Sequence, residues 1–151
     1  MYERDEAGFT LLEVLVVVLI IGLLMTVVAT NLLGRADEAK VTLASTQIRQ
    51  LEQALEMYRL DNGRYPTNEQ GLEALVREPA GEPRPKRYPP GGYVKRDALT
   101  DPWSTPYQYR IPGSHNAHSF DLLSLGSDSA EGGEGTNGDI VNWDTGDTAS
   151  N

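Results

Sequence analysis

The amino-acid sequence predicts an α+β fold in which one long N-terminal helix packs on a small sheet. Three observations lead there. No proline occurs before Pro66, and between Phe9 and Leu60 the only glycines are Gly22 and Gly34, so little interrupts a helix over that reach. Apolar residues recur at Ala44, Ile48, Leu51, Leu55 and Tyr58, in steps of four and three that place them on one helical face. Beyond Asn62, prolines, glycines and brief β-rich runs replace that pattern, as in short strands joined by loops.

Taken in order, the helix begins apolar. Residues 9–33 hold a single ionisable side chain, Glu13. Phe9 to Ala29 is 21 residues, or about 30 Å of helix, the thickness of a bilayer's hydrocarbon layer. Its apolar side chains run right round, which a helix lying on a membrane surface would not show. A transmembrane segment is therefore expected over 9–33. A cleaved secretory signal would need a basic leader and a small-residue cleavage site. Here residues 1–8 hold three acidic side chains and one basic, Arg4. Glu13 is costly in apolar surroundings unless paired or protonated, and the sequence places no cation near it. The helical pattern continues past this stretch. One helix from Phe9 to about Leu60 would have 52 residues and a length of about 78 Å. Gly34 marks a bend, a locally melted turn, or nothing at all. Asp61-Asn62-Gly63 ends the helix, with a glycine suited to left-handed dihedrals.

Tyr65-Pro66 then reads as an extended approach to a short helix. Thr67 is its N-cap, Gln70 completes a capping box, and Leu72, Leu75 and Val76 face inward. Residues 79–92 hold five prolines and three glycines and form a loop. Strands are expected around Tyr93–Lys95, Tyr107–Ile111 and Phe120–Leu125. Asp101-Pro102-Trp103 turns into an aromatic cluster of Trp103, Tyr107 and Tyr109, read as core packing and not as a stacking platform for a ligand. From Ser124 the chain is rich in glycine and oxygen donors, with hydrophobic residues returning at Ile140, Val141 and Trp143. That return suggests a loop anchored at both ends; the other reading is a disordered linker.

Several functions are disfavoured by composition. The formal net charge is -9, which makes nucleic acid a poor partner, since backbone binding needs clustered Lys and Arg. Arg84, Lys86 and Arg87 sit in the proline-rich loop and read as solvated. With no cysteine, a disulfide framework, thiol catalysis and cysteine-ligated zinc are excluded. His115 and His118 are the only histidines; lacking a third placed ligand, they read as turn or surface residues. No nucleophile elbow, phosphate loop, zinc-protease or dinucleotide motif occurs, so no enzyme activity is expected.

Ala7-Gly8, followed by Phe9-Thr10-Leu11-Leu12-Glu13 and the apolar run, resembles the processing motif of type IV pilin-like proteins. The resemblance implies that a prepilin peptidase cuts between Gly8 and Phe9 and methylates the new amino-terminal Phe9. It also implies that Glu13 pairs with the Phe9 amino group of a neighbouring subunit during assembly. The physics agrees, because a charge pair in low dielectric offsets part of the desolvation each member suffers alone.

The order of long helix, Tyr65-Pro66-Thr67 with Glu69-Gln70-Gly71-Leu72, Asp101-Pro102-Trp103 with Pro106-Tyr107, and glycine-rich tail resembles the G-type pseudopilins of type II secretion systems. That family implies a type IV pilin-like fold, with a long helix whose first half is transmembrane, a small antiparallel sheet and a C-terminal calcium loop. The expected organisation is a leader at 1–8, a transmembrane or filament-core helix at 9–33, a periplasmic half-helix at 34–61, and a head at 62–151. The head would include a calcium-binding loop at 124–143. Asp128 and Asp139 are the implied side-chain ligands, with carbonyls near Leu125 and Ser127; Asn137 stands where the family often has an acidic residue. Glu131 and Glu134 read as solvated surface. Calcium suits such a loop, taking carboxylate and carbonyl oxygens in flexible geometry.

The implied function is the major structural subunit of a periplasmic filament that promotes export of folded proteins across the outer membrane. Its partners would be copies of itself, the prepilin peptidase, minor pseudopilins, the inner-membrane assembly platform and the inner membrane, which the chain would cross once. Two alternatives are a type IV pilin of a surface pilus and a minor pseudopilin.

Overall fold

A computed structural model describes residues 9–143, and over residues 26–35 it describes the backbone alone. The expected leader at 1–8, with Gly8, lies outside the described residues. The chain divides into two compact units, Met1–Ala36 and Asp37–Asn151.

A single helix, α1, runs Leu11–Asn62 over 52 residues. Thr10 caps its start, its Oγ1 accepting the Glu13 amide at 3.2 Å, so a side chain satisfies one of the amides that helix geometry leaves open. The helix is continuous through Gly34. It ends where the sequence indicates. Gly63 adopts φ 76°, and its amide closes the last turn by donating to the Arg59 carbonyl at 2.7 Å. Asn62 is buried there, donating to the Tyr58 carbonyl at 2.9 Å and accepting the Arg87 amide at 3.0 Å.

The expected transmembrane first half is corrected. Among the described residues no helix is long and apolar enough to cross a membrane. Crossing a hydrocarbon layer of about 30 Å takes about 20 consecutive apolar residues, a stretch that no described helix supplies. The same finding removes the single-pass inner-membrane placement.

In the second unit the predicted stripe is realised. Ala44, Ile48, Leu51, Leu55 and Tyr58 are each at most 2% exposed. All but Ala44 belong to one core cluster with Leu72, Leu75, Leu99, Tyr107, Phe120 and Leu122. Facing them is a three-stranded antiparallel sheet in the order β1-β2-β3, with β1 at Gln108–Arg110, β2 at Asp121–Ser124 and β3 at Ile140–Val141. Tyr109 pairs with Leu122, and Leu123 with Val141. β1 and β2 lie inside the strands read from sequence, whereas β3 was read only as an anchor.

The expected strand at Tyr93–Lys95 does not form. The amides of Tyr93 and Val94 both donate to the Leu75 carbonyl, at 2.7 and 3.2 Å, which spends on a helical turn the groups a strand would use. Gly92, at φ 79°, makes this approach: a Cβ there would lie 2.6 Å from the Val76 carbonyl oxygen. The capping box does form, with Gln70 N to Thr67 Oγ1 at 3.3 Å and Thr67 N to Gln70 Oε1 at 3.2 Å. It precedes a 3-10 turn, Leu72–Leu75, and not an α-helix; Gly71, at φ 55°, leaves the helical region. Among the described residues no ring contact joins Trp103 to Tyr107 or Tyr109. The aromatic packing runs instead through Tyr58 on Tyr93 at 5.5 Å and Tyr65 on Phe120 at 5.0 Å between ring centres.

The calcium loop expected within this fold is also corrected. Among the described residues no group of three or more His, Cys, Asp or Glu could hold a metal ion. Asp128 and Asp139 with backbone carbonyls supply two such side chains, fewer than a group of that kind requires.

Candidate functional site

Phe9 and Glu13, the described residues expected to act in processing and assembly, sit where α1 begins. Phe9 is 81% exposed, and Glu13 lies in the first helical turn, where the helix's partial positive end favours a carboxylate. Among the described residues no cation forms an ion pair with Glu13. From Leu11 to Met25 the large apolar side chains are all exposed, Val16 the least at 42%. Contiguous apolar surface of that extent marks a contact region in a soluble protein or a membrane one. Chemically, this segment can bury area and, through Glu13, accept one positive partner.

The other end of the chain holds the proposed ligands. The segment 125–139 is a folded loop and not a disordered linker, because the β2–β3 pairing of Ser124 with Ile140 closes it. Gly126 makes the crossing tight. It has φ 66°, and a Cβ there would lie 2.7 Å from the Gly138 carbonyl oxygen. The Ser127 amide donates to the Thr136 carbonyl at 3.0 Å, and the Ser127 hydroxyl bonds the Asn137 side-chain oxygen. Ser127 and Asn137 are thus brought together.

Asp128 and Asp139 each serve the loop's own backbone. Asp128 Oδ1 accepts the Ala130 amide at 3.0 Å, and Asp139 Oδ2 accepts the Gly132 amide at 3.0 Å. Asp139 Oδ1 is buried without a partner. Leu125 is half-buried at the start of the loop, while Glu131 and Glu134 are exposed, as solvated residues would be.

Sequence reading missed Asp121. This β2 carboxylate is 4% exposed and gathers the turn before it: Oδ2 accepts the amides of Ser114 and His115 at 2.7 and 2.9 Å, and Oδ1 that of Asn116 at 2.9 Å. Burial pushes its pKa up, but the amides of His115 and Asn116, the His115 ring and the Ser114 amide together hold it below the usual aspartate value. His115 does not pair with His118. Its ring stacks on Trp143 at 4.1 Å, with 4° between planes, and its Nδ1 lies 3.2 Å from Asp121 Oδ2. The available signal was a charged residue inside a β-rich run, just after Phe120.

Comparison with known proteins covers almost the whole chain. Residues 31–143 match the family model described as type II secretion system (T2SS), protein G. Residues 4–29 match the prokaryotic N-terminal methylation motif. The chain is 49% identical over 144 residues to the type II secretion system core protein G of Pseudomonas aeruginosa, covering 95% of this chain and 99% of that one. It is 52% identical over 140 residues to the protein of that name from Vibrio cholerae serotype O1, covering 93% of each. In structure it resembles the major pseudopilin from the type 2 secretion system of enterohaemorrhagic Escherichia coli, at a TM-score of 0.60 and 42% identity, over 75% of this chain and 94% of that one.

Proposed function

The chain belongs to the type II secretion system protein G family, and from that premise we propose how its residues build a filament. It is a structural subunit, the major pseudopilin of a type II secretion pseudopilus that promotes protein export, and not an enzyme. Copies of the chain polymerise. The observation carrying the proposal is the exposed apolar surface of α1 from Leu11 to Met25. A lone chain leaves this surface uncovered, and stacking copies covers it at about 25 cal/mol per Å² of apolar area removed from water.

Within that polymer Glu13 acts as a register device. Apolar surfaces alone slide, whereas a buried carboxylate accepts one offset, the one that brings it a neighbour's amino group. Cleavage between Gly8 and Phe9 by a prepilin peptidase supplies that amine, and the match to a methylation motif over residues 4–29 supports this order of events. Minor pseudopilins and an inner-membrane assembly platform are the further partners of this reading, with the head domain in the periplasm.

Two measurements test it. The mass of the mature N-terminal peptide should correspond to Phe9 carrying one methyl; an intact Met1 start in assembled filaments overturns the processing step. Glu13→Ala should leave the head's melting curve unchanged while filament yield and secretion collapse, and secretion at the wild-type level overturns the register role.

A further inference from the structure

The sequence holds two Asn-Gly pairs, Asn62-Gly63 and Asn137-Gly138. An asparagine before glycine can lose its side-chain amide, because the glycine nitrogen approaches that side chain with no Cβ in the way. The attack needs a side chain free to turn and a backbone nitrogen that is not tightly engaged. At the first pair both groups are held. Asn62 is 3% exposed; its Nδ2 donates to the Tyr58 carbonyl at 2.9 Å and its Oδ1 accepts the Arg87 amide at 3.0 Å. The Gly63 amide donates to the Arg59 carbonyl at 2.7 Å.

The second pair is built differently. Asn137 is exposed, and among the described residues nothing hydrogen-bonds its Nδ2. Its Oδ1 accepts the Ser127 hydroxyl, which polarises the amide carbon and steadies the oxygen on which charge gathers during addition. The Gly138 amide donates to the Gly135 carbonyl at 3.3 Å, longer than an ordinary N–H···O bond. That bond closes a 3-10 turn of three residues, Gly135–Asn137, a unit that opens locally at little cost.

We propose that Asn137 is a self-modification site, at which the Gly138 nitrogen turns the side-chain amide into a carboxylate. With its proton lost to solvent base, that nitrogen bonds to Asn137 Cγ. The Cγ–Nδ2 bond breaks, and the nitrogen leaves as ammonia, taking up a proton. Water then opens the cyclic imide, giving aspartate or, through the other carbonyl, isoaspartate. Each event adds a negative charge to a loop that already holds Asp128, Glu131, Glu134 and Asp139, with no Lys or Arg after Arg110. Isoaspartate also lengthens the main chain where a Cβ on Gly133 would lie 2.5 Å from the Asn137 carbonyl oxygen. It is therefore the product that loosens the crossing.

The test ages the full chain in detergent, at neutral and mildly alkaline pH, in water enriched in the heavy oxygen isotope. Peptides spanning each pair are then released in acid, where imide formation is slow, and weighed over time. The expected result is heavy oxygen entering at Asn137 roughly tenfold faster than at Asn62, faster still at the higher pH. In urea-unfolded chain the two rates converge, because the fold is what separates the pairs. An Asn137 that keeps its amide, or loses it no faster than Asn62, overturns the proposal. Rates that stay as far apart in urea assign the difference to local sequence and overturn the structural argument.

Discussion

Asp121 carries a carboxylate into the interior of β2, where only hydrogen bonds to it offset the water it has lost. It receives three backbone amides, so Asp121→Ala strands donors as well as removing a charge. The expected cost is about 2 kcal/mol, read as a fall in Tm on the order of 8 °C for a domain of this size. The pH dependence has a fixed sign. Because the folded-state pKa lies below the ordinary value, the stabilisation is complete above the unfolded-state pKa and is lost as pH falls through the folded one. Wild-type protein should therefore lose Tm below about pH 4, and Asp121→Ala should lose less over that range. A second residue-scale contrast concerns the loop. Gly126→Ala meets the Gly138 carbonyl at a positive φ, whereas Gly132→Ala, also at positive φ, meets open space. Gly126→Ala should cost roughly 1–3 kcal/mol more in chemical denaturation; equal midpoints would show that the crossing is not tight in solution.

Single elements differ in what holds them. The Thr67–Gln70 box satisfies two amides reciprocally, so the two side chains act as a unit. Thr67→Ala and Gln70→Ala should each cost about 1 kcal/mol, and the double variant little more than either. Additive losses in urea melts would mean that the two bonds form independently. In α1, Leu51 is fully buried, and Leu51→Ala should cost about 2–5 kcal/mol. These elements were legible because their signals are local or periodic: α1 repeats its apolar stripe over four turns, and a capping box needs only two intervening positions. β3 was not legible, since two residues show no alternation. Tyr93–Val94 misled because β-propensity says nothing of a Leu75 carbonyl reached only after Gly91 and Gly92 turn the chain. Asp121 was hidden for a related reason. Its partners precede it by five to seven residues, in a turn whose shape no spacing rule describes. At the start of α1 the motif around Phe9 and Glu13 was plain in the sequence, but its apolar run over-reached as a membrane span, because hydropathy alone does not say whether lipid or another copy covers a surface.

For the whole molecule, the decisive quantity is net charge set against the number of copies packed together. A chain at -9, or -7 once residues 1–8 are removed, polymerises against repulsion that grows with every added head, and salt screens that repulsion over about 10 Å at 0.1 M. Two contributions compete as salt rises. Repulsion between exposed acidic surfaces weakens, which favours polymer. Attraction between Glu13 and a neighbouring amine also weakens, but a pair enclosed by apolar helices is screened much less than exposed charges are. Hydrophobic burial along Leu11–Met25 is not weakened by salt at these concentrations. The net expectation is a sedimentable fraction that rises between roughly 20 and 200 mM NaCl. The sign also depends on the contact face between heads. If heads meet through opposed ion pairs, salt dissolves the polymer; if their acidic surfaces only repel, screening is all that salt contributes. Sedimentation across a salt series therefore reads the chemistry of the head contact directly, and a fraction that falls with salt would mean that ion pairs between heads outweigh their repulsion.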